Sequence, residues 1–288
     1  MRIGTALTPV GPRLFVDRDG ERRSIGAVGQ PLTDLLHDGR LRVSPGEPIP
    51  DGSLAAPLRP GKIIAIGLNY LDHIREASVE PPSAPLVFAK FPSSVVGPDA
   101  PIMIDPALTG RVDWEVELAA VIGRTARHVD QREALDHVLG YTVGNDISAR
   151  DVQFADGQWV RGKSMDTFCP LGPVLVTADE VRDPQRLRLS TRINGEVVQD
   201  SNTELMLFDV ARLIAFCSAS FTLEPGDVLL TGTPWGCGEF MTPRRSLQDG
   251  DVVEAEVESI GILRNPVVVR GPGRALPGEV ERRRKDGP

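Results

Sequence analysis

No paired cysteine motif occurs in this 288-residue chain, which removes two stabilising devices at once. Cys169, Cys217 and Cys237 are odd in number and widely spaced, with no C-x-x-C among them. Neither a disulfide framework nor a structural zinc site is predicted. A basic excess is also missing. The 32 Lys and Arg residues face 40 Asp and Glu, giving a net charge of -8 and a pI near 5.2. A chain so charged has little with which to neutralise phosphates, so a nucleic-acid partner is not expected. An anionic small molecule remains compatible, because a local cluster of Lys, Arg and metal overrides the global sign. No apolar run approaches the roughly 20 residues needed to cross a bilayer. The opening MRIGTALTPVGPRLF lacks a basic region followed by a long apolar stretch, so no signal peptide and a cytoplasmic location are expected. Phosphate-loop, H-E-x-x-H and G-x-S-x-G motifs are absent, and the glycines of TGTPWGCG (231–238) do not follow dinucleotide-binding spacing.

What the chain does hold is turn formers and short strands. Aromatics are only 5% of the residues, whereas 29 Gly and 25 Pro imply a loop-rich β architecture. Residues 1–58 read as a small N-terminal unit: RIGTAL and RLFVDRDG alternate around turns, and LTDLLHDG (Leu32–Gly39) predicts a short amphipathic helix. The larger unit, 59–269, contains KIIAIGLNY, LVFAK, VDWEVELAAVIG, YTVGNDIS, PVLVTAD, LRLSTRING, DVLLTGT and DVVEAEVESIG as candidate strands. Asn194-Gly195 between two alternating runs predicts a hairpin. Helices are expected near Arg132–Leu139 and over Phe208–Ala219, with a helical turn at LDHIREA. Few helices among many strands predict a β-rich α+β fold with a mostly antiparallel sheet system. The segment 270–288 is charged, poor in apolar residues and expected to be mobile.

The acidic residues carry the first chemical signal. Glu115 and Glu117 lie two apart in an otherwise apolar strand, so both carboxylates point to one face. Asp146 follows another apolar strand. Three carboxylates converging from strands suit a hard divalent cation with oxygen ligands. Pattern alone also permits the solvent face of an amphipathic edge strand. His73 and Glu76 stand at i and i+3 on a helical turn, so the carboxylate can orient the imidazole, although a surface pair has the same spacing. Arg150, Asp151 and Gln153 read as a charged loop leaving a strand, and Lys163 as a loop lysine between apolar segments. Cys237 admits a nucleophile reading, for which the sequence offers no specific histidine.

Seven stretches in order, IGLNYLDHIREA, VDWEVELAAVIG, GYTVGNDISARDVQ, RGKSMDTFCPLGPVLV, INGEVVQDSNTELMLF, LEPGDVLLTGTPWGCG and LQDGDVVEAEVESIGILRNPV, resemble the fumarylacetoacetate hydrolase family. They span most of residues 60–268. The resemblance implies a rolled mixed β-sheet catalytic domain behind a small N-terminal domain, a homodimer, and one Mg2+ or Mn2+ per subunit. It implies Glu115, Glu117 and Asp146 as metal ligands, His73 as general base oriented by Glu76, and Lys163 beside the metal. Arg150, Gln153, Lys163 and Thr233 are implied as substrate contacts, with Asp151 a partner of Arg150. Trp235 and Cys237 depart from the smaller or aliphatic residues of many relatives.

The implied substrate is a small 2-oxo or 2,4-dioxo carboxylic acid. With His73 and Glu76 both present, the expected reaction is hydrolysis of a C–C bond in an acylpyruvate-type acid. The alternative on the same scaffold is an isomerase or a decarboxylase of a hydroxymuconate-type or oxaloacetate-like acid. A non-catalytic metal-binding relative serving as an interaction partner is the alternative from another class, and the intact ligands and dyad speak against it.

Overall fold

The computed structural model describes residues 1–37 and 40–271. Three strands carry its centre: Val116–Ile122, Val138–Asn145 and Cys169–Thr177, nearly every residue of which is buried. Cover on both faces explains why VELAAVI reads as a continuous apolar run without alternation. The three lie side by side and antiparallel. The sheet continues on one flank through Arg2–Thr8, Gly11–Arg18 and Glu21–Ser24, and on the other through Val228–Leu230, Ile63–Gly67 and Leu86–Lys90. Val228–Leu230 runs parallel to Ile63–Gly67. The sheet is therefore mixed, and the segments that follow Gly67 and Leu230 leave from the same end of it. That end carries the site.

A second sheet packs on the first in the order Ile102–Ile104, Gly261–Val269, Val252–Val257, Arg188–Ile193, Glu196–Asn202. Its strand VVEAEV buries every second residue, as expected when one face meets the core and the other meets water. Asn194 and Gly195 adopt φ of 54° and 84°. Both central residues thus have the positive φ that a tight hairpin turn demands. Strand Arg2–Thr8 pairs directly with Cys169–Thr177 (Arg2 opposite Val176, Ile3 opposite Leu175). Ile3, Leu14 and Val16 pack in one apolar cluster with Leu171, Leu175 and Val228. The N-terminal strands are thus an extension of the central sheet.

Several predicted elements take another form. Leu32–Gly39 is a 3-10 turn over Leu32–Leu35 followed by a two-residue strand, Leu36–His37; Gly39 lies outside the described residues. The helix expected near Arg132–Leu139 is a 3-10 turn at Ala134–His137, because Val138 already belongs to a central strand. The predicted Phe208–Ala219 helix forms over Val210–Ser220, started by the Asp209 side chain accepting the Arg212 amide at 2.7 Å. Residues 150–163, read as loop, are two short helices, Arg150–Asp156 and Val160–Lys163. Gly157 ends the first at φ 70°. The expectation for 270–288 falls, from residue 272 onward, outside the described residues.

Candidate active site

Strand register builds the acidic end of the site. Val116 faces Asn145 and Glu117 faces Gly144, while the Asp146 amide donates to the Glu115 carbonyl at 2.9 Å. Asp146, one residue past its strand, therefore sits across from Glu115. Glu115 lies just before Val116–Ile122, where the strand is interrupted after Val112–Asp113. Its amide is held by the Asn145 side chain at 3.1 Å, and the Val116 amide by Gln199 at 3.0 Å. Oxygens of Glu115, Glu117 and Asp146 come within 4.8 Å of one another, and all three residues are buried. The strand is interior, lying between Val138–Asn145 and Val228–Leu230. The solvent-face reading of Glu115 and Glu117 is excluded.

Buried carboxylates need counter-charge. Lys163 donates to Glu115 at 2.7 Å and to Asp146 at 2.9 Å. Lys90 donates to the other Asp146 oxygen at 2.5 Å. Arg150 donates to Glu115 at 2.5 Å and clasps Asp113 at 2.7 and 3.2 Å. Burial alone would push the Glu115 carboxyl up, but Arg150 and Lys163 outweigh it and hold it down at about 2. Glu117 is the exception. Among the described residues no basic side chain pairs with it, and its hydrogen bond comes from the Gly232 amide at 2.7 Å. Burial, then the Asp146 and Glu115 charges, raise it well above the usual carboxylate range. A buried carboxylate short of positive charge, within an all-oxygen donor set, fits a hard divalent cation, and these residues can hold one.

Local backbone places the lysine. A Cβ on Gly162 would lie 2.8 Å from the Gln153 amide nitrogen and 2.9 Å from the Ala149 carbonyl. Glycine thus lets the two short helices touch, and the next residue, Lys163, reaches the carboxylates. Lys163 is raised in pKa: burial opposes its charge, but Asp146 and Glu115 more than compensate, so it stays an ammonium.

Opposite the acids stands a second group. Helix Leu71–Glu76 presents His73, whose Nδ1 lies 3.1 Å from Glu76 Oε2. The other Glu76 oxygen accepts the Gly236 amide at 2.9 Å, and Asp72 accepts the Ser201 hydroxyl at 2.6 Å. The His73 ring meets Phe240 edge-on at 5.2 Å. Cys237 Sγ lies 3.9 Å from His73 Nδ1, on the side of Glu76. Burial foremost, then Glu115, pushes this thiol well above its ordinary range, so it is no neutral-pH nucleophile.

Between the two groups lies a cavity of about 250 Å³. Glu115, Lys163, Arg150 and Gln153 line it together with His73 and Thr233, and Ile66, Leu68, Val79, Phe88, Trp159 and Phe240 supply apolar wall. A larger cavity of about 640 Å³ borders Thr5, Leu14, Pro31 and Pro57; Arg59 is the charged residue of its described lining, and it brings no acid, base or ligand set. The titratable groups that the sequence singles out line the smaller one.

All nine residues named from the sequence as catalytic, binding or ligating thus gather at one end of the sheet. Asp151 does not join Arg150. It accepts the Thr109 hydroxyl at 2.5 Å and the Gly110 amide at 2.9 Å, and Asp113 takes the expected role. Sequence reading also missed Lys90, Asn145 and Gln199. Lys90 had a faint signal, a lysine closing the apolar strand LVFAK; Gln199 had none, since its buried bonds to Val116, Thr191 and Thr233 join distant segments.

Comparison with known proteins agrees with this geometry. The fumarylacetoacetate hydrolase C-terminal family profile matches residues 62–268. A mitochondrial oxaloacetate tautomerase of Xenopus laevis is 52% identical over 219 residues, covering 75% of this chain and 68% of that protein. A human mitochondrial oxaloacetate tautomerase is 49% identical over 217 residues, 75% of this chain and 69% of its own length. Among solved structures, a fumarylacetoacetate hydrolase from the psychrophilic Exiguobacterium antarcticum superposes at TM-score 0.85 with 40% identity, over 94% of this chain and all of the other. A 5-carboxymethyl-2-hydroxymuconate delta-isomerase from Mycobacterium smegmatis gives 0.80 with 40% identity and the same coverage. With the fold, the acidic cluster and these identities in agreement, the chain belongs to the fumarylacetoacetate hydrolase family and is an enzyme.

Proposed function

We propose that this enzyme interconverts the keto and enol forms of a small 2-oxo dicarboxylic acid of the oxaloacetate class. The observation that carries the reading is the His73–Glu76 pair facing the Glu115–Lys163 floor across only about 250 Å³. That volume is below the usual range of ligand pockets, about 300–1,000 Å³, and suits a four-carbon acid. Tautomerisation asks the protein for one proton-transfer group and an electropositive floor. Hydrolysis asks in addition for a placed water and space for an acyl leaving group. Half-identity to oxaloacetate tautomerases supports the same choice. The alternative of isomerase chemistry is therefore preferred over the C–C hydrolase reading.

Glu115, Glu117 and Asp146 would hold the cation, Mg2+ or Mn2+ by their hard oxygen set, and the bound cation would polarise the 2-oxo carbonyl. The chain's own groups do the rest. With Nδ1–H held by Glu76, His73 keeps Nε2 as an acceptor that takes a proton from C3. Lys163, kept charged by its two carboxylates, donates toward the negative charge that develops on the C2 oxygen. The proton that His73 has taken, passed to that oxygen, completes the enol and restores the neutral imidazole; the reverse order returns the ketone. Gln153, its carbonyl oxygen engaged by Arg150 at 3.2 Å, offers N–H donors to substrate. Thr233 accepts from Gln199 at 3.0 Å and so has its hydroxyl proton to give.

The same dyad suits water activation, and that observation keeps acylpyruvate hydrolysis as the second reading. Ultraviolet absorbance of the enol in freshly dissolved oxaloacetate, with and without Mg2+, tests the first, and acylpyruvate cleavage the second. Metal-dependent acceleration of ketonisation is expected. Cleavage of acylpyruvate without effect on oxaloacetate would reverse the order. The active unit is proposed to be a homodimer, which light scattering at micromolar concentration checks.

A further inference from the structure

We propose that His73, Glu76 and Cys237 form a second metal site, one that takes a borderline-soft divalent cation such as Zn2+ and switches the enzyme off when filled. The inhibitory half of this proposal rests on the proposed role of His73 as base; the binding half does not.

Geometry comes first. Cys237 Sγ is 3.9 Å from His73 Nδ1, and Nδ1 is 3.1 Å from Glu76 Oε2; the three donor atoms lie within 4.8 Å of one another. Tetrahedral zinc, with Zn–S about 2.3 Å and Zn–N or Zn–O about 2.0–2.1 Å, sets its ligand atoms roughly 3.3–3.6 Å apart. The Sγ–Nδ1 and Nδ1–Oε2 separations bracket that range, and the third, sulfur to carboxylate, lies within 4.8 Å. Water is the expected fourth ligand.

Donor chemistry separates this site from the acidic one. Glu115, Glu117 and Asp146 present oxygen alone, which favours Mg2+ or Mn2+. Sulfur, imidazole nitrogen and one carboxylate favour zinc. Charge agrees. Glu76, Glu115 and Asp113 all act on the sulfur as negative neighbours, opposed by Arg150. A field that disfavours a lone thiolate favours a bound dication. The donors are also held in place: the Gly236 amide fixes Glu76, and Gly236 itself is wedged so tightly that a Cβ there would lie 2.1 Å from the Val198 carbonyl oxygen.

Inhibition follows from the imidazole's two nitrogens. In the dyad, Nδ1 carries the proton and Nε2 accepts. A metal on Nδ1 requires that nitrogen deprotonated, so the neutral ring holds its proton on Nε2 instead. The thiol releases one proton to solvent as the S–metal bond forms. His73 then presents an N–H where the reaction needs a lone pair, and Glu76 can no longer reorient it.

Cobalt(II) reports the site directly. Added to Mg2+-saturated enzyme, Co2+ bound through sulfur gives a thiolate-to-metal charge-transfer band in the near ultraviolet, whereas Co2+ in the carboxylate site gives none. The band is expected at one equivalent in the wild type and absent in both Cys237→Val and Cys237→Ala, which retain Cys169 and Cys217 as internal controls. Zn2+ should inhibit the wild type at concentrations at least tenfold lower than either variant, whose uninhibited turnover should match the wild type. No band in the wild type, or a band that survives in both variants, overturns the site. A cysteine-dependent band with equal Zn2+ inhibition of all three proteins overturns the switch. Should oxaloacetate not be turned over at all, the functional reading fails and the cobalt spectrum still decides the site.

Discussion

The two walls of the active cavity are built differently. The acidic wall grows from the central strands, and its side chains are locked to one another: Lys163, Lys90 and Arg150 each make two or more hydrogen bonds to buried acceptors. The opposite wall is a six-residue helix that buries Ile74, with Tyr70 before it, in the core and is tied further by Ser201 to Asp72, Gly236 to Glu76, and the Leu207 amide to the Asn69 carbonyl. The first wall can bind a cation and an anion with little rearrangement. The second carries His73, the proposed proton acceptor, on a short helix outside the sheet. On the proposed mechanism, binding falls to the sheet and proton transfer to the segment packed against it.

If that division holds, chelation has the largest effect. Turnover should be lost completely in metal-stripped enzyme and return with Mg2+ or Mn2+; full activity after stripping would sink the metal assignment. Stripping should also destabilise, and more so as pH rises. Glu117 has a raised pKa in the metal-free fold, so the folded state holds its proton more tightly than the unfolded chain does. Metal-free stability therefore falls as pH climbs from the ordinary carboxylate value, near 4.5, toward that raised value. The cation removes the penalty. The gap in melting temperature between loaded and stripped enzyme should widen over that window, and a constant gap would contradict the unneutralised-carboxylate account.

Next comes His73→Ala, expected to lower turnover by about 10²- to 10⁴-fold, the usual span for a general base. Mg2+ affinity, read by calorimetry, should not change, because none of Glu115, Glu117 and Asp146 is touched. A parallel fall in metal affinity would show that the two walls are not independent. Glu76→Gln keeps a hydrogen bond to the ring but removes its charge, worth about 1–1.5 kcal/mol and so about tenfold in rate. Smallest is Ser201→Ala. It removes one tether of the short helix, about 1 kcal/mol, and should raise KM a few-fold while metal binding and melting temperature stay close to wild type. A large drop in melting temperature would mean that this one bond, beyond the packing of Ile74, anchors the segment to the core.

The same division explains what the sequence disclosed. Central strands were readable because burial on both faces leaves a near-unbroken apolar run, and a carboxylate inside such a run stands out, as Glu115 and Glu117 do. Asp146 was found for the same reason at a strand end. The short helices at 150–163 were not, since seven and four residues give too few turns for a hydrophobic period to register. Lys163 consequently looked like a loop lysine, and only resemblance placed it. Near Arg132–Leu139 the helix-forming residues lost to the sheet, which claims Val138 onward. Asp113 and Gln199 act across 37 and 83 residues, and no local pattern encodes such a separation.

The parallel pairing of Val228–Leu230 with Ile63–Gly67 has a consequence for redesign. Because both chains leave the sheet at one end, segments 68–80 and 233–241 meet over a floor that belongs to other strands. A combinatorial library confined to their apolar lining residues, Leu68, Ala77, Val79 and Phe240, would reshape the cavity toward new acids while the dyad, the wedged glycines and the buried acidic cluster stay as they are.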